Sequence, residues 1–178
     1  MDVSTASDTS TAENRTTVEP KSDRELVITR TFHAPACLVF EAWATPELLK
    51  RWWVPKSCGI TFISCDIDAR TGGRYRFVFG HASLEQPMEF FGRYIEVIPN
   101  ARLVWTNEEG GEGGAITTVT FEERGGEERG IETVVVMHDL YSSKEALDRT
   151  IASGATCGFG EGFQQLDELL VTLGPSAG

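Results

Sequence analysis

The chain has 178 residues and a formal charge of −11 at pH 7, from 27 acidic against 16 basic side chains. That length suits one domain with a tail, large enough to form a core without disulfides or metal. The acidic balance argues against nucleic acid and against an anionic membrane surface, both of which need clustered Lys and Arg.

Cys37, Cys58, Cys65 and Cys157 form no CxxC pair and no zinc-like spacing with His33, His81 or His138. They read as reduced thiols of a cytoplasmic protein, and neither metal nor other cofactor is expected. No stretch is long and apolar enough to span a membrane. The N-terminus has no basic then apolar signal pattern and carries Asp2, Asp8 and Glu13.

Residues 1–24 are rich in Ser, Thr and acidic side chains and poor in bulky apolar ones, which predicts a disordered tail. Glu25 to Phe32 is β-branched and reads as a strand. Ala34-Pro35 opens a helix through Leu38, Val39, Phe40 and Trp43, with proline expected at its first position. Thr45-Pro46-Glu47 caps a second short helix, which Pro55 stops. Six more strands are expected over 60–69, 74–80, 88–98, 102–106, 115–123 and 131–139, separated by Gly-rich or Pro-Asn turns. Tyr75, Phe77 and Phe79 alternate with Arg74, Arg76 and Val78, as on a half-solvated antiparallel sheet. Ser143 caps a helix that breaks near Gly154 and resumes. The final helix carries the stripe Phe159, Phe163, Leu166, Leu170, Leu173, at helical spacing. Gly158 and Gly162 lie beside that stripe. Glycine costs a helix interior about 1 kcal/mol relative to alanine, so this face needs either empty space or close approach to another backbone.

The order β-α-α-β6-α means α+β, with one curved sheet of seven strands around one long helix. Trp52 and Trp53 are adjacent, so one is expected in the core and the other at a pocket mouth. Asp68 and Arg70 share a strand face and would pair. Gly92, inside a strand, marks a bend or bulge. His138 and Asp139 face opposite sides and form no dyad. The Glu-rich hairpin ends, 108–114 and 122–128, read as solvated loops. No GxSxG, HExxH or phosphate-loop spacing is present.

Four runs in order, PELLKRWWVP, DARTGGRYRF, FGRYIEVIPNARLVWT and SKEALDRTIASGATCGFGEGFQQLDELL, resemble the activator-of-heat-shock-ATPase-homologue type of START-related protein. This is a helix-grip group related to pollen allergens, lipid-transfer START domains and polyketide cyclases. The resemblance falls on Trp52, Trp53 and Pro55, on Asp68, Arg70, Gly72 and Gly73, on Gly92, and on Leu166 to Leu169. It implies a helix-grip domain over 25–174, followed by a short tail at 175–178. A seven-stranded antiparallel sheet would grip the C-terminal helix, with a hydrophobic cavity between them. Relatives carry bulkier residues where this chain has Cys157, Gly158 and Gly160, a departure that would enlarge the cavity or loosen the helix start.

The resulting expectation is a non-enzymatic protein, monomer or homodimer, that binds a small hydrophobic or amphipathic ligand. Tyr75, Phe77, Val119, Val135, Met137, Phe159 and Phe163 would line the cavity, with Trp52 or Trp53 at its entrance. The same residues could instead fill a solid core. The resemblance also implies a co-chaperone that activates an ATPase, although a 24-residue tail cannot replace the extra domain of such activators. A cyclase or dehydratase would need an acid or base inside the cavity, for which Glu96 and His138 are the candidates.

Overall fold

The computed structural model describes residues 16–109, 114–128, 130–152 and 158–173. Its strands are β1 Thr17–Pro20, β2 Glu25–Phe32, β3 Thr61–Ile67, β4 Arg74–Gly80, β5 Met88–Ile98, β6 Arg102–Thr106, β7 Ile116–Gly126 and β8 Gly130–Leu140. Helices α1 Ala36–Ala44 and α2 Pro46–Leu49 follow β2, and α3 Lys144–Ala152 and α4 Phe159–Leu173 follow β8. The strands form one antiparallel sheet in the order β1-β2-β8-β7-β6-β5-β4-β3.

Eight strands, not seven, make the sheet. The extra one, β1, comes from the segment expected as tail. It pairs antiparallel with the free edge of β2, Val18 opposite Ile28. Its sequence, TVEP, offers one bulky apolar residue, so composition hid it. An edge also tolerates Pro20, which has no N–H to give. Residues 1–15 of the expected tail and residues 175–178 lie outside the described residues, as does Cys157.

Period-two alternation decides which face is buried. β2 buries Leu26, Ile28, Arg30 and Phe32, and β8 buries Thr133, Val135, Met137 and Asp139. Helix α1 starts one residue later than expected. Pro35 is its N-cap and supplies no side-chain hydrogen bond. The Ala36 N–H instead donates to Glu123 Oε2 of β7 at 2.9 Å, so one of the hairpin glutamates caps a helix. Ser143 caps α3 as expected, its Oγ accepting the Ala146 N–H at 3.1 Å.

Helix α4 lies on the concave face. Phe163 stacks edge-on against Phe32 at 5.6 Å and lies 5.9 Å from Trp43. Asp167 pairs with the buried Arg30 of β2. Gln165 clamps α4 to the loop after α2. Its Oε1 accepts the Lys56 N–H at 2.9 Å, and its Nε2 donates to the carbonyls of Trp52 at 3.2 Å and Val54 at 2.9 Å. This contact explains Gly162. A Cβ there would sit 3.3 Å from the Trp52 carbonyl oxygen, so close backbone approach is what the glycine serves.

Candidate functional site

The sheet's curl places one cavity toward the β4–β6 side rather than at its centre. β4 supplies Tyr75, Phe77 and Phe79, β5 supplies Phe90 and Tyr94, and β6 supplies Trp105. Trp43 of α1, Leu49 of α2, Trp53 of the following loop and Phe159 of α4 close it, and Asn107 and Glu109 add polar groups. Its volume is about 310 Å³, and nine of its twelve lining residues are aromatic. That size lies at the lower end of small-molecule sites. A smaller cavity of about 180 Å³ lies between the Trp52–Pro55 loop and α4. A third space of about 460 Å³ shares Trp53, Phe79 and Phe90 with the first.

Gly92 is what lets the Thr106 backbone and the Tyr75 ring meet at this wall. A Cβ on it would lie 1.9 Å from the Thr106 carbonyl oxygen and 2.9 Å from a Tyr75 ring carbon. No side chain fits there. β5 pairs with β4 up to Arg93 and with β6 from Tyr94 onward, and a register shift follows between Tyr94 and Glu96. The irregularity expected at Gly92 falls two residues further on, between Tyr94 and Glu96.

The expected lining residues divide into three groups. Trp53, Tyr75, Phe77 and Phe159 line the 310 Å³ cavity. Trp52, Met137 and Phe163 line the smaller one, where Trp53 and Phe159 also contribute. Val119 and Val135 line neither. They are 0% and 1% exposed, buried in the core on the central strands β7 and β8. Between the two tryptophans the division is as expected: Trp52 is in the core, its Nε1 donating to the Ala42 carbonyl at 3.0 Å, while Trp53 is half-buried at the cavity. Phe79, Tyr94 and Trp105 were accessible to the same alternation argument. Trp43, Leu49 and Glu109 depend on how elements distant in sequence meet.

A polar chain runs from the cavity wall into the sheet. The Tyr75 hydroxyl donates to the Thr106 carbonyl at 2.8 Å and lies 3.3 Å from Asn107 Oδ1. Asn107 Nδ2 donates to the Ala115 carbonyl at 2.9 Å and to Thr117 Oγ1 at 3.0 Å. The Thr117 hydroxyl donates to Asp139 Oδ1 at 2.6 Å. Asp139 is 6% exposed, and burial pushes its carboxyl up to about 6, with the Thr117 bond acting in the opposite direction. Burial likewise raises the Tyr75 and Tyr94 hydroxyls, which stay neutral. The Trp43 Nε1 is buried without an acceptor.

Both candidate acid–base residues lie elsewhere. Glu96 pairs with Arg102 at 3.0 Å, both side chains well exposed. His138 projects from the outer face of β8 and meets Glu25 Oε2 at 2.9 Å. Of the His138-Asp139 pair it is the aspartate that turns inward, a consequence of the alternation that ruled out a dyad. Asp68 and Arg70 pair at 2.9 Å on the exposed surface, as expected. Cys37, Cys58 and Cys65 are free, and among the described residues no group of His, Cys, Asp and Glu could hold a metal ion. No helix among them is long and apolar enough to cross a membrane.

A curved antiparallel sheet closed by a C-terminal helix, with an apolar cavity beside the helix, defines the helix-grip class of α+β proteins. The chain belongs to the Activator of Hsp90 ATPase homolog 1-like protein family, whose model matches residues 33–171. No curated protein matches it. Among solved structures, a Rhodobacter sphaeroides protein is 25% identical, with a TM-score of 0.77 over 89% of this chain and 99% of its own. A Nitrosomonas europaea protein is 23% identical, with a TM-score of 0.74 over 86% of this chain and 98% of its own. The AHSA1-like protein from Aeromonas hydrophila is 17% identical, with a TM-score of 0.59 over 83% of this chain and 93% of its own.

Proposed function

We propose that this protein binds a small hydrophobic or amphipathic molecule in the aromatic cavity between β4, β5, β6 and the start of α4. The observation that carries the reading is the cavity itself, about 310 Å³ of space walled by large rings. A cavity of that size forgoes the dispersion contacts and water release that filling it would bring. An apolar guest would recover them. The residues that hold the guest are Trp53, Tyr75, Phe77 and Phe159, joined by Phe79 and Trp105. The free thiols fit a reducing, cytoplasmic setting. The family's description supplies a second reading, activation of a chaperone ATPase. Faster ATP turnover by a chaperone on addition of this protein would favour it.

Titration with N-phenyl-1-naphthylamine, a neutral apolar fluorophore, tests the first reading. Saturable binding with a dissociation constant of about 10 μM is expected, which is roughly −7 kcal/mol. Leu49→Trp, which puts a large ring into the cavity, is expected to weaken it at least about tenfold while circular dichroism confirms the fold. Equal binding by both proteins would place the probe elsewhere and contradict the reading.

A further inference from the structure

The cavity carries charge of only one sign. Glu109 is the single Asp, Glu, Lys, Arg or His among its lining residues. The adjoining open space repeats the pattern, with Glu161 as its only charged side chain. The nearest basic residue on β5, Arg93, is exposed and pairs with Glu108 at 3.1 Å. Glu109 therefore has no basic partner among the described residues. Partial desolvation pushes its carboxyl above the ordinary range, while backbone N–H groups of Glu109 and Phe91 pull the other way. Its negative field reaches Tyr75 in the cavity wall.

Asn107 adds an independent observation. Both hydrogens of its amide nitrogen are spent, on the Ala115 carbonyl and on Thr117 Oγ1. The buried Asp139 fixes that arrangement by accepting the Thr117 hydroxyl. What Asn107 has left to offer a guest is the remaining lone pair of Oδ1, an acceptor that also lies 3.3 Å from the Tyr75 hydroxyl. The Tyr75 hydroxyl hydrogen is likewise taken up by Thr106 and Asn107. A guest that brings N–H donors and positive charge matches this end of the cavity. Glu109 itself is exposed at the rim of the cavity, and a carboxylate or phosphate would meet its like charge there.

We infer that the ligand is an apolar, aromatic-sized amine bound as its ammonium cation, its head held by the Glu109 carboxylate and Asn107 Oδ1 and its body packed among Trp53, Phe77, Phe79 and Trp105. The inference rests on the cavity-binding reading above and adds the sign of the ligand's charge. The charge-assisted hydrogen bond forms at the exposed rim, while cation–ring attraction draws on the buried aromatic wall.

Three probes with one ring system decide it: 2-naphthylmethylamine, 2-naphthylmethanol and 2-naphthoate, titrated calorimetrically into the full chain. The amine is expected to bind about tenfold tighter than the alcohol, and the carboxylate weakest of the three. Glu109→Gln is expected to erase the gap between amine and alcohol. Glu127→Gln makes the same change of net charge on the distant β7–β8 hairpin and is expected to preserve the gap. If all three probes bind alike, or the carboxylate binds tightest, the inference falls while the cavity reading stands. A preference for the amine that survives Glu109→Gln also overturns it. If none of the three binds, the cavity reading itself fails and the inference falls with it.

Discussion

Asp139 keeps its carboxyl on the apolar inner face of β8, and the Thr117 hydroxyl only partly offsets the loss of water. Its folded value of about 6 lies above the 3.8 of an unperturbed aspartate. The folded protein therefore holds a proton that the unfolded chain releases between those values. Stability from this residue is full below the unfolded value and declines as pH rises toward about 6, by about 3 kcal/mol in all. Glu25 works in the opposite sense, because its bond to His138 lowers its carboxyl and its contribution is lost as pH falls. Comparing Asp139→Asn with the parent isolates the first effect. The variant should gain about 2 kcal/mol near pH 7 and show a flatter profile between about pH 4 and 6, by urea unfolding across that range. An unchanged profile would mean that Asp139 is better solvated than its surroundings indicate. Gly92 makes a steric prediction at the same scale. Gly92→Ala must displace the Thr106 carbonyl and is expected to cost about 3 kcal/mol, read as a fall in Tm.

Helix α4 is held less by its own propensity than by what it clamps. Gln165 satisfies one N–H and two carbonyls of the loop from Trp52 to Lys56. Glu161 accepts hydrogen bonds from the Ser57 N–H and hydroxyl. Replacing Gln165 with Leu leaves those loop groups unpaired and should cost about 3 kcal/mol, near 1 kcal/mol per bond. Hydrogen exchange should show the Trp52–Lys56 loop opening before the sheet. Unchanged protection there would contradict the clamp. Elements with strong periodicity were the legible ones: β2, β4, β5 and β6 have the expected bounds, and Ser143 caps α3 as expected. β1 was not legible, because TVEP is stabilised by an edge that exists only once β2 has joined the sheet. The lining was legible where a strand's alternation set it, as for Tyr75 and Phe77. Val119 and Val135 take the inner face that alternation gave them but line neither of the two cavities described, since alternation says which face a residue takes but not whether space lies above it.

At the scale of the whole molecule, packing is uneven. The β2, β8 and β7 side is the more tightly filled, with Phe32, Val119 and Leu166 of α4 at 0% exposure and the smaller cavity at Met137. The β4, β5 and β6 side retains the cavity. The acidic surface and the single carboxylate of the cavity both favour a neutral or cationic guest over an anion. The most direct measurement is native mass spectrometry of the purified full chain, followed by organic extraction and identification of what is released. The account predicts a mass increment matching one discrete small molecule, apolar in its body, that extraction removes. A bare chain mass, together with no saturable uptake of a neutral apolar probe, would contradict it and leave the cavity as a packing defect in a protein that works through its surface.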